Sequence, residues 1–248
     1  MEWTDEAIVL SARPHGETAA VATLLTREHG RHAGLVQGAR SSRQRGVLEA
    51  GNLVSARWRA RLPEHLGAFS LELDRSIAAG LLDDPLRLAA LVSACSVCEA
   101  ALPEREPHGP VYDGFRALLV ALGSEFWDAA YVRWELGVLQ ELGFGLDLTR
   151  CAATGTNDRL SYVSPRTGRA VSLSAGEAYR DKLLTLPGFL VGRGAADPEE
   201  VLQGLLLAGH FLERTAMAAG GIGLPAARAR FLERYRKTAT SSGRQMTL

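Results

Sequence analysis

Apolar residues change their period once along this chain, near Ser76, and the change separates two predicted architectures. Before Ser76 they alternate over short runs, which is the period of strands. Five strands are predicted, over residues 7–13, 19–26, 31–38, 52–62 and 68–74, with Glu28, His29 and Gly30 as a hairpin connection between the second and third. The fourth is the clearest. Val54, Ala56, Trp58, Ala60 and Leu62 share one face, and Leu53, Ser55, Arg57, Arg59 and Arg61 share the other. In the fifth, Phe69, Leu71 and Leu73 oppose Ser70, Glu72 and Asp74. Five short strands so close in sequence predict a small barrel, because closure leaves no strand edge exposed.

After Ser76 the period is helical. Asp84 before Pro85 is an N-cap followed by proline at the first helical position, and Leu88 through Leu102 keep helical spacing until Pro103 stops them. Further helices are predicted over 112–122, over 127–142 ending at Gly143, from Asp197-Pro198 to Gly220-Gly221, and from Pro225 through Tyr235. Residues 238–248 read as a polar, frayed tail. Between the third and fourth long helices, residues 145–194 are rich in Gly, Ser and Thr and poor in apolar period, with a short helix predicted near 174–186. The fold class is therefore α+β: a barrel domain over 1–76 and a helical domain over 77–248, interrupted by an irregular insertion at about 145–194.

Charge sharpens the picture. Lys and Arg number 28 and Asp and Glu also 28, so the net charge is zero. Yet residues 27–61 hold Arg27, Arg31, Arg40, Arg43, Arg45, Arg57, Arg59 and Arg61, opposed only by Glu28 and Glu49. A cationic band on a neutral protein marks a surface for a polyanion, nucleic acid first. Arg57, Arg59 and Arg61 are expected in a row about 7 Å apart on the fourth strand. Arg40, Arg43 and Arg45 are expected on a mobile loop. Both could follow a phosphate backbone without reading bases, against the plainer reading of a solvated strand face and a polar loop. Trp58 is expected to be a packed indole rather than a base-stacking platform.

Other chemistry has little support. Cys95 and Cys98 lie in mid-helix among apolar residues, not at the helix N-terminus that would activate a thiolate. His15, His29, His32, His65, His108 and His210 have no ligand spacing. There is no phosphate loop and no nucleophile elbow, and Gly220 to Gly223 follows a helix rather than opening one. No catalytic residue, no cofactor and no membrane segment is predicted. The N-terminus lacks the charge pattern of a secretory signal, and three sparse cysteines suit a reducing cytoplasm.

With this order of elements, the turn Thr26-Arg27-Glu28-His29-Gly30, the basic Gly38-Ala39-Arg40 loop and the run Leu142-Gly143-Phe144-Gly145-Leu146-Asp147-Leu148-Thr149-Arg150-Cys151 become informative. Together they resemble the RecO family of bacterial DNA repair and recombination mediators. The resemblance implies an oligonucleotide-binding (OB) barrel contacting single- and double-stranded DNA. It also implies strand annealing, a cytoplasmic, nucleoid-associated location, and work with RecR and the C-terminal tail of single-stranded DNA-binding protein, so that RecA loads onto coated strands. The acidic, apolar partner tail calls for an arginine-rimmed groove, expected at Arg116 or Arg133 beside Tyr131 and Trp134. Many members hold zinc on four cysteines in the insertion. Here only Cys151 remains, with Thr154, Ser172 and Ala175 at the other positions, so no metal is expected. An RNA-binding barrel and a non-catalytic interaction protein are the alternatives.

Overall fold

The computed structural model describes residues 1–217, 221 and 223–245, with side chains up to residue 240. The chain folds as two units, Met1–Leu119 with Pro225–Phe231, and Val120–Leu224 with Leu232–Leu248.

In the first unit, β1 (Glu2–His15), β2 (Ala19–Thr26), β3 (Gly30–Val36), β4 (Leu53–Arg59) and β5 (Ala68–Arg75) close into a barrel in the order β1-β2-β3-β5-β4. A short parallel pairing of Leu35 with Ala68 completes the closure. This is the order of an OB barrel. Ala7, Val9, Ala22, Leu24, Val36, Val54, Ala56, Trp58 and Phe69 fill the interior, as period-two alternation requires. Leu62 lies beyond the end of β4 and Leu73 on β5; both are exposed rather than in the core. Two further departures matter. β1 begins at Glu2, not Ala7, and its first residues pair with β4 from Glu2 opposite Arg59 to Ala7 opposite Val54. Residues after Ser41 are not a mobile loop: Ser42–Val47 form α1, with Ser41 Oγ accepting from the Gln44 N–H. Gly30 needs its left-handed backbone (φ 67°), and a Cβ there would meet the Glu106 carbonyl oxygen. Helix α2 (Pro85–Ala101) starts at Asp84, whose Oδ1 accepts from the N–H groups of Leu86 and Arg87. It packs on β1 through Cys95 and Glu99. The Cys95 thiol points to the Val9 carbonyl, and Glu99 bonds Ser11 and Arg13. Burial pushes the Cys95 thiol up to about 12 and holds the Cys98 thiol well above its usual range, so neither is poised as a thiolate. Helix α3 (Gly109–Ala121) follows.

In the second unit, α4 (Trp127–Glu141) packs against α6 (Pro198–Leu212), whose Gly204 admits Val132 at close range. The insertion is less irregular than its composition predicts. β6 (Leu160–Val163), β7 (Ala170–Ser172) and β8 (Leu184–Thr185) make a sheet in the order β7-β6-β8, and α5 (Leu173–Gly176) runs into a 3-10 turn ending at Lys182. These strands are too short to show a period. After α6 the chain continues as a π-helical segment over Glu213–Met217. The last helix, α7 (Ala226–Gln245), extends through most of the predicted tail. Residues 246–248, and Gly220 and Ile222 of the Gly220–Gly223 run, lie outside the described residues.

Candidate nucleic-acid interface

The cationic band is carried by three different supports. On β4, Val54, Ala56 and Trp58 point inward, so Arg57 and Arg59 must point out. Trp58 is 2% exposed, and its Nε1 donates to the Leu66 carbonyl, consistent with a packed indole. Arg61 lies past the end of the strand, so the strand carries two arginines rather than three. Because β1 pairs with β4 from its first residue, Glu2 sits across from Arg59. Its carboxylate takes the Arg57 Nε on one oxygen and the Arg59 Nε and Nη2 on the other, at 3.3 and 3.2 Å. The Arg57 hydrogen bond, ahead of Arg59, holds the Glu2 carboxyl below the usual carboxylate range. Both arginines are more than half exposed, so these pairs are weak and exchangeable.

The second support is α1. Asn52 anchors it: the fully buried side chain donates from Nδ2 to the carbonyls of Gly46 (2.7 Å) and Val47 (3.4 Å) and accepts the Ile77 N–H at Oδ1 (3.0 Å). Val47, Leu48 and Ala39 enter the barrel core. Arg43 and Arg45 are thereby left exposed. Arg40 reaches the Gly16 carbonyl of the β1–β2 turn at 3.5 Å. Among the described residues, Arg40, Arg43, Arg45 and Arg61 form no ion pair with a carboxylate. Arg43 borders a groove that Val47, Leu71, Glu72 and Leu73 also line, and Arg40 and Arg45 border a hollow shared with Ala12, Pro14, Ala39 and Glu49.

The third support removes two arginines from this surface. Arg31 Nε donates to the Leu102 carbonyl at 2.8 Å, its Nη1 lies 3.3 Å from Glu104, and its own carbonyl accepts the Arg105 N–H. With its side chain 18% exposed, it ties the 102–105 segment to the barrel. Arg27 stands among Glu6, Glu28 and Asp113 at 3.7–3.9 Å.

Sequence reasoning missed an aromatic group at one end of the barrel. Trp3 stacks on His29 (centroids 4.1 Å apart, planes 8°) and on Trp58, with the His32 and Phe69 rings edge-on. Asp5, buried, accepts from the Glu28 N–H and lies 3.0 Å from His29 Nδ1. His32 is 4% exposed, and among the described residues neither ring nitrogen has a hydrogen-bond partner. Burial, then the charges of Arg105 and His29, lower its pKa to about 4. The alternation Trp3, Asp5, Ala7 was the available signal.

The partner-groove residues are placed differently from expectation. Tyr131 and Trp134 are 0% and 6% exposed, so they are core residues and line no open groove. Arg133 donates to the Phe189 carbonyl and lies over the Phe189 ring, and in the first unit Arg116 pairs with Glu6 at 3.0 Å. In the insertion, Cys151 Sγ accepts the Ser172 N–H at 3.2 Å, and Ser172 Oγ accepts the Ala175 N–H. Burial would raise the Cys151 thiol, but donors from Ser172 and Thr154 outweigh it and bring it down to about 6. One thiol, two hydroxyls and an alanine do not fit a structural zinc, which takes four N, S or carboxylate ligands. Among the described residues no three His, Cys, Asp or Glu side chains converge to hold a metal.

Comparison with known proteins decides the family. Residues 1–74 match the family described as Recombination protein O N terminal, and residues 82–216 match Recombination protein O C terminal. The chain belongs to the RecO family. RecO proteins similar to it, each named DNA repair protein RecO, include one from Rhodospirillum centenum, 66% identical over 98% of both chains. Another, from Rhodospirillum rubrum, is 51% identical over 96% of this chain and 97% of its own. A third, from Cereibacter sphaeroides, is 50% identical over 94% and 98%. Membership of RecO supports a role in DNA repair. Among the described residues no helix is long and apolar enough to cross a membrane.

Proposed function

We propose that this chain is a non-catalytic DNA repair mediator whose barrel, over residues 1–76, holds the phosphate backbones of single- and double-stranded DNA. On this reading it anneals complementary strands and, with RecR and the tail of single-stranded DNA-binding protein, helps RecA load onto coated strands in the nucleoid. The helical domain over 77–248 is the proposed partner side. The observation that carries the reading is the set Arg40, Arg43, Arg45 and Arg61, exposed and, among the described residues, in no ion pair with a carboxylate, beside Arg57 and Arg59 held by one exchangeable carboxylate. Such cations neutralise phosphates on two strands, lowering the repulsion that slows annealing. Arg27 and Arg31 contribute less, being already engaged.

The test is annealing of complementary oligonucleotides by wild type and by a variant with Arg40, Arg43, Arg45, Arg57, Arg59 and Arg61 changed to Ala. Wild type is expected to accelerate annealing and the variant to approach the spontaneous rate. Equal rates would refute the interface, and a wild type that favours matched RNA over DNA would favour an RNA-binding role.

A further inference from the structure

The loop between β4 and β5 is fastened at its two ends and at its tip by different groups. At its start the Ala60 N–H donates to the Met1 carbonyl at 3.0 Å. At its far end the Leu66 carbonyl accepts from Trp58 Nε1 and the Gly67 carbonyl accepts the Leu35 N–H, each at 3.0 Å. The strand ladder adds little there, because β3 meets β5 in a short parallel pairing, Leu35 with Ala68. The tip is held from outside the barrel strands. Arg105 donates from Nη1 to the Pro63 carbonyl at 2.6 Å, and from Nη2 to the carbonyls of His65 and Glu64 at 2.9 and 3.4 Å. Its own backbone is pinned to β3. The Arg105 N–H donates to the Arg31 carbonyl at 2.8 Å, and Glu104 beside it bridges Arg31. Arg105 has φ 61°, in the left-handed region that residues with a side chain seldom take. A strained residue that its surroundings hold in place is a pointer to function.

We propose that Arg105 is a positioning residue of the nucleic-acid interface: its guanidinium holds the β4–β5 loop in place and so presents Arg61 to the phosphate backbone. The inference rests on the DNA-binding reading above. Barrels of this kind hold oligonucleotides at the β4–β5 loop among other places. Arg61, exposed at the root of this loop, borders one hollow with Glu2 and Arg59. Arg105 is not itself the phosphate contact, since both of its terminal nitrogens are turned to carbonyls of the loop. These hydrogen bonds are exposed, and each adds only modestly to stability. What three bonds from one planar fork supply is direction. A loop fixed in advance avoids the loss of freedom that ordering it on the ligand would cost.

The experiment measures binding of full-length protein to a fluorescent oligothymidylate by anisotropy across a salt series, with circular dichroism melts as the folding control. Arg105→Gly removes the fork yet suits the left-handed backbone. It should melt near the wild-type temperature while binding about threefold to fivefold more weakly near 0.1 M salt. Its salt slope should fall by about 0.7, the loss of one contact on a single strand, and that contact is Arg61. Arg61→Ala should show the same fall, and R61A/R105G no more than either change alone, whereas the effects of R105G and R43A/R45A should multiply. R105K keeps the charge but not the fork and should bind as weakly as R105G. Wild-type binding by R105K, or a further fall in slope when R105G is added to R61A, overturns the positioning role, because Arg105 then acts through its own charge. So does unchanged binding by R105G while R43A/R45A is impaired, and the barrel reading then stands. If R105G fails to fold, hydrogen exchange of the wild type decides. The His65 N–H, which donates to the Leu62 carbonyl inside the loop, should be protected, and exchange at the rate of an unstructured peptide overturns the clasp. A wild type that binds no oligonucleotide overturns the DNA-binding reading and the positioning role with it.

Discussion

Arg57 and Arg59 stand on a strand whose neighbour supplies a carboxylate between them, whereas Arg43 and Arg45 stand on a short helix and, among the described residues, form no ion pair, although Glu72 and Glu49 line the same hollows. The first pair is fixed in direction by the β1–β4 ladder but half-neutralised by Glu2. The second is held by no ion pair among the described residues, and its position depends on how α1 is fastened to the barrel. The contrast shows that cationic sequence and available cationic surface are different quantities. Topology decides which arginines are spent on the fold, as with Arg31 on the Leu102 carbonyl, and which remain for a ligand.

The severest way to break the α1 arm without touching its charge is Asn52→Ala. The change strands the Gly46 and Val47 carbonyls and the Ile77 N–H, all served by one fully buried side chain. Lost bonds and uncompensated groups should destabilise the first unit by about 3 kcal/mol. The check is urea denaturation. If binding is measured where the variant is still folded, the loss should fall on the α1 contribution and leave the effect of R57A/R59A unchanged.

Acid should find the other arm. His32 lies with Trp3, Trp58 and Phe69 under the β4 arm, neutral, with its pKa lowered to about 4 by burial first and by Arg105 and His29 after. An unfolded histidine takes up its proton near pH 6.5. Between about pH 6.5 and 4 the unfolded chain therefore binds the extra proton, and stability falls as pH falls through that window. The expected loss by pH 4 is about 2 kcal/mol after allowance for relaxation of the site. A His32→Phe variant should lack this part of the pH dependence in thermal melts. Parallel curves for variant and wild type would refute the assignment.

The barrel was legible because alternation survives in every strand with an apolar interior. It failed at the start of β1, where the inward position is Asp5, a buried acid satisfied by Glu28 and His29. A polar residue at a core position hides the period. It failed again in the insertion, whose strands of four, three and two residues cannot display one. Of the candidate site, the arginines were visible as composition, but their partners were not. Glu2 and Glu104 lie outside the band and reach it only through the β1–β4 pairing and the 102–105 segment.

The two arms should separate in binding. R43A/R45A removes two charges held in no ion pair and should weaken oligonucleotide binding about fivefold to tenfold near 0.1 M salt, with the salt slope down by about 1.4. R57A/R59A removes two charges that share an anion, so its effect should be about half as large in slope. Anisotropy titrations across salt measure both. A larger loss from the strand pair would reverse the comparison and make the fixed row the principal grip.

Glu2→Gln is the smallest change and the sharpest. It keeps the hydrogen-bonding carbonyl but deletes the charge that Arg57 and Arg59 share. If phosphate must displace Glu2 from that pair, the variant should bind oligonucleotide about twofold to threefold more tightly, with a slightly steeper salt slope. The gain should vanish in an R57A/R59A background, where there is nothing left to release, and persist in R43A/R45A, where the strand arm is intact. A gain of equal size in both backgrounds would mean that Glu2 acts through the general field of the surface, and the pairing geometry would then have no part in setting what the strand arm can hold.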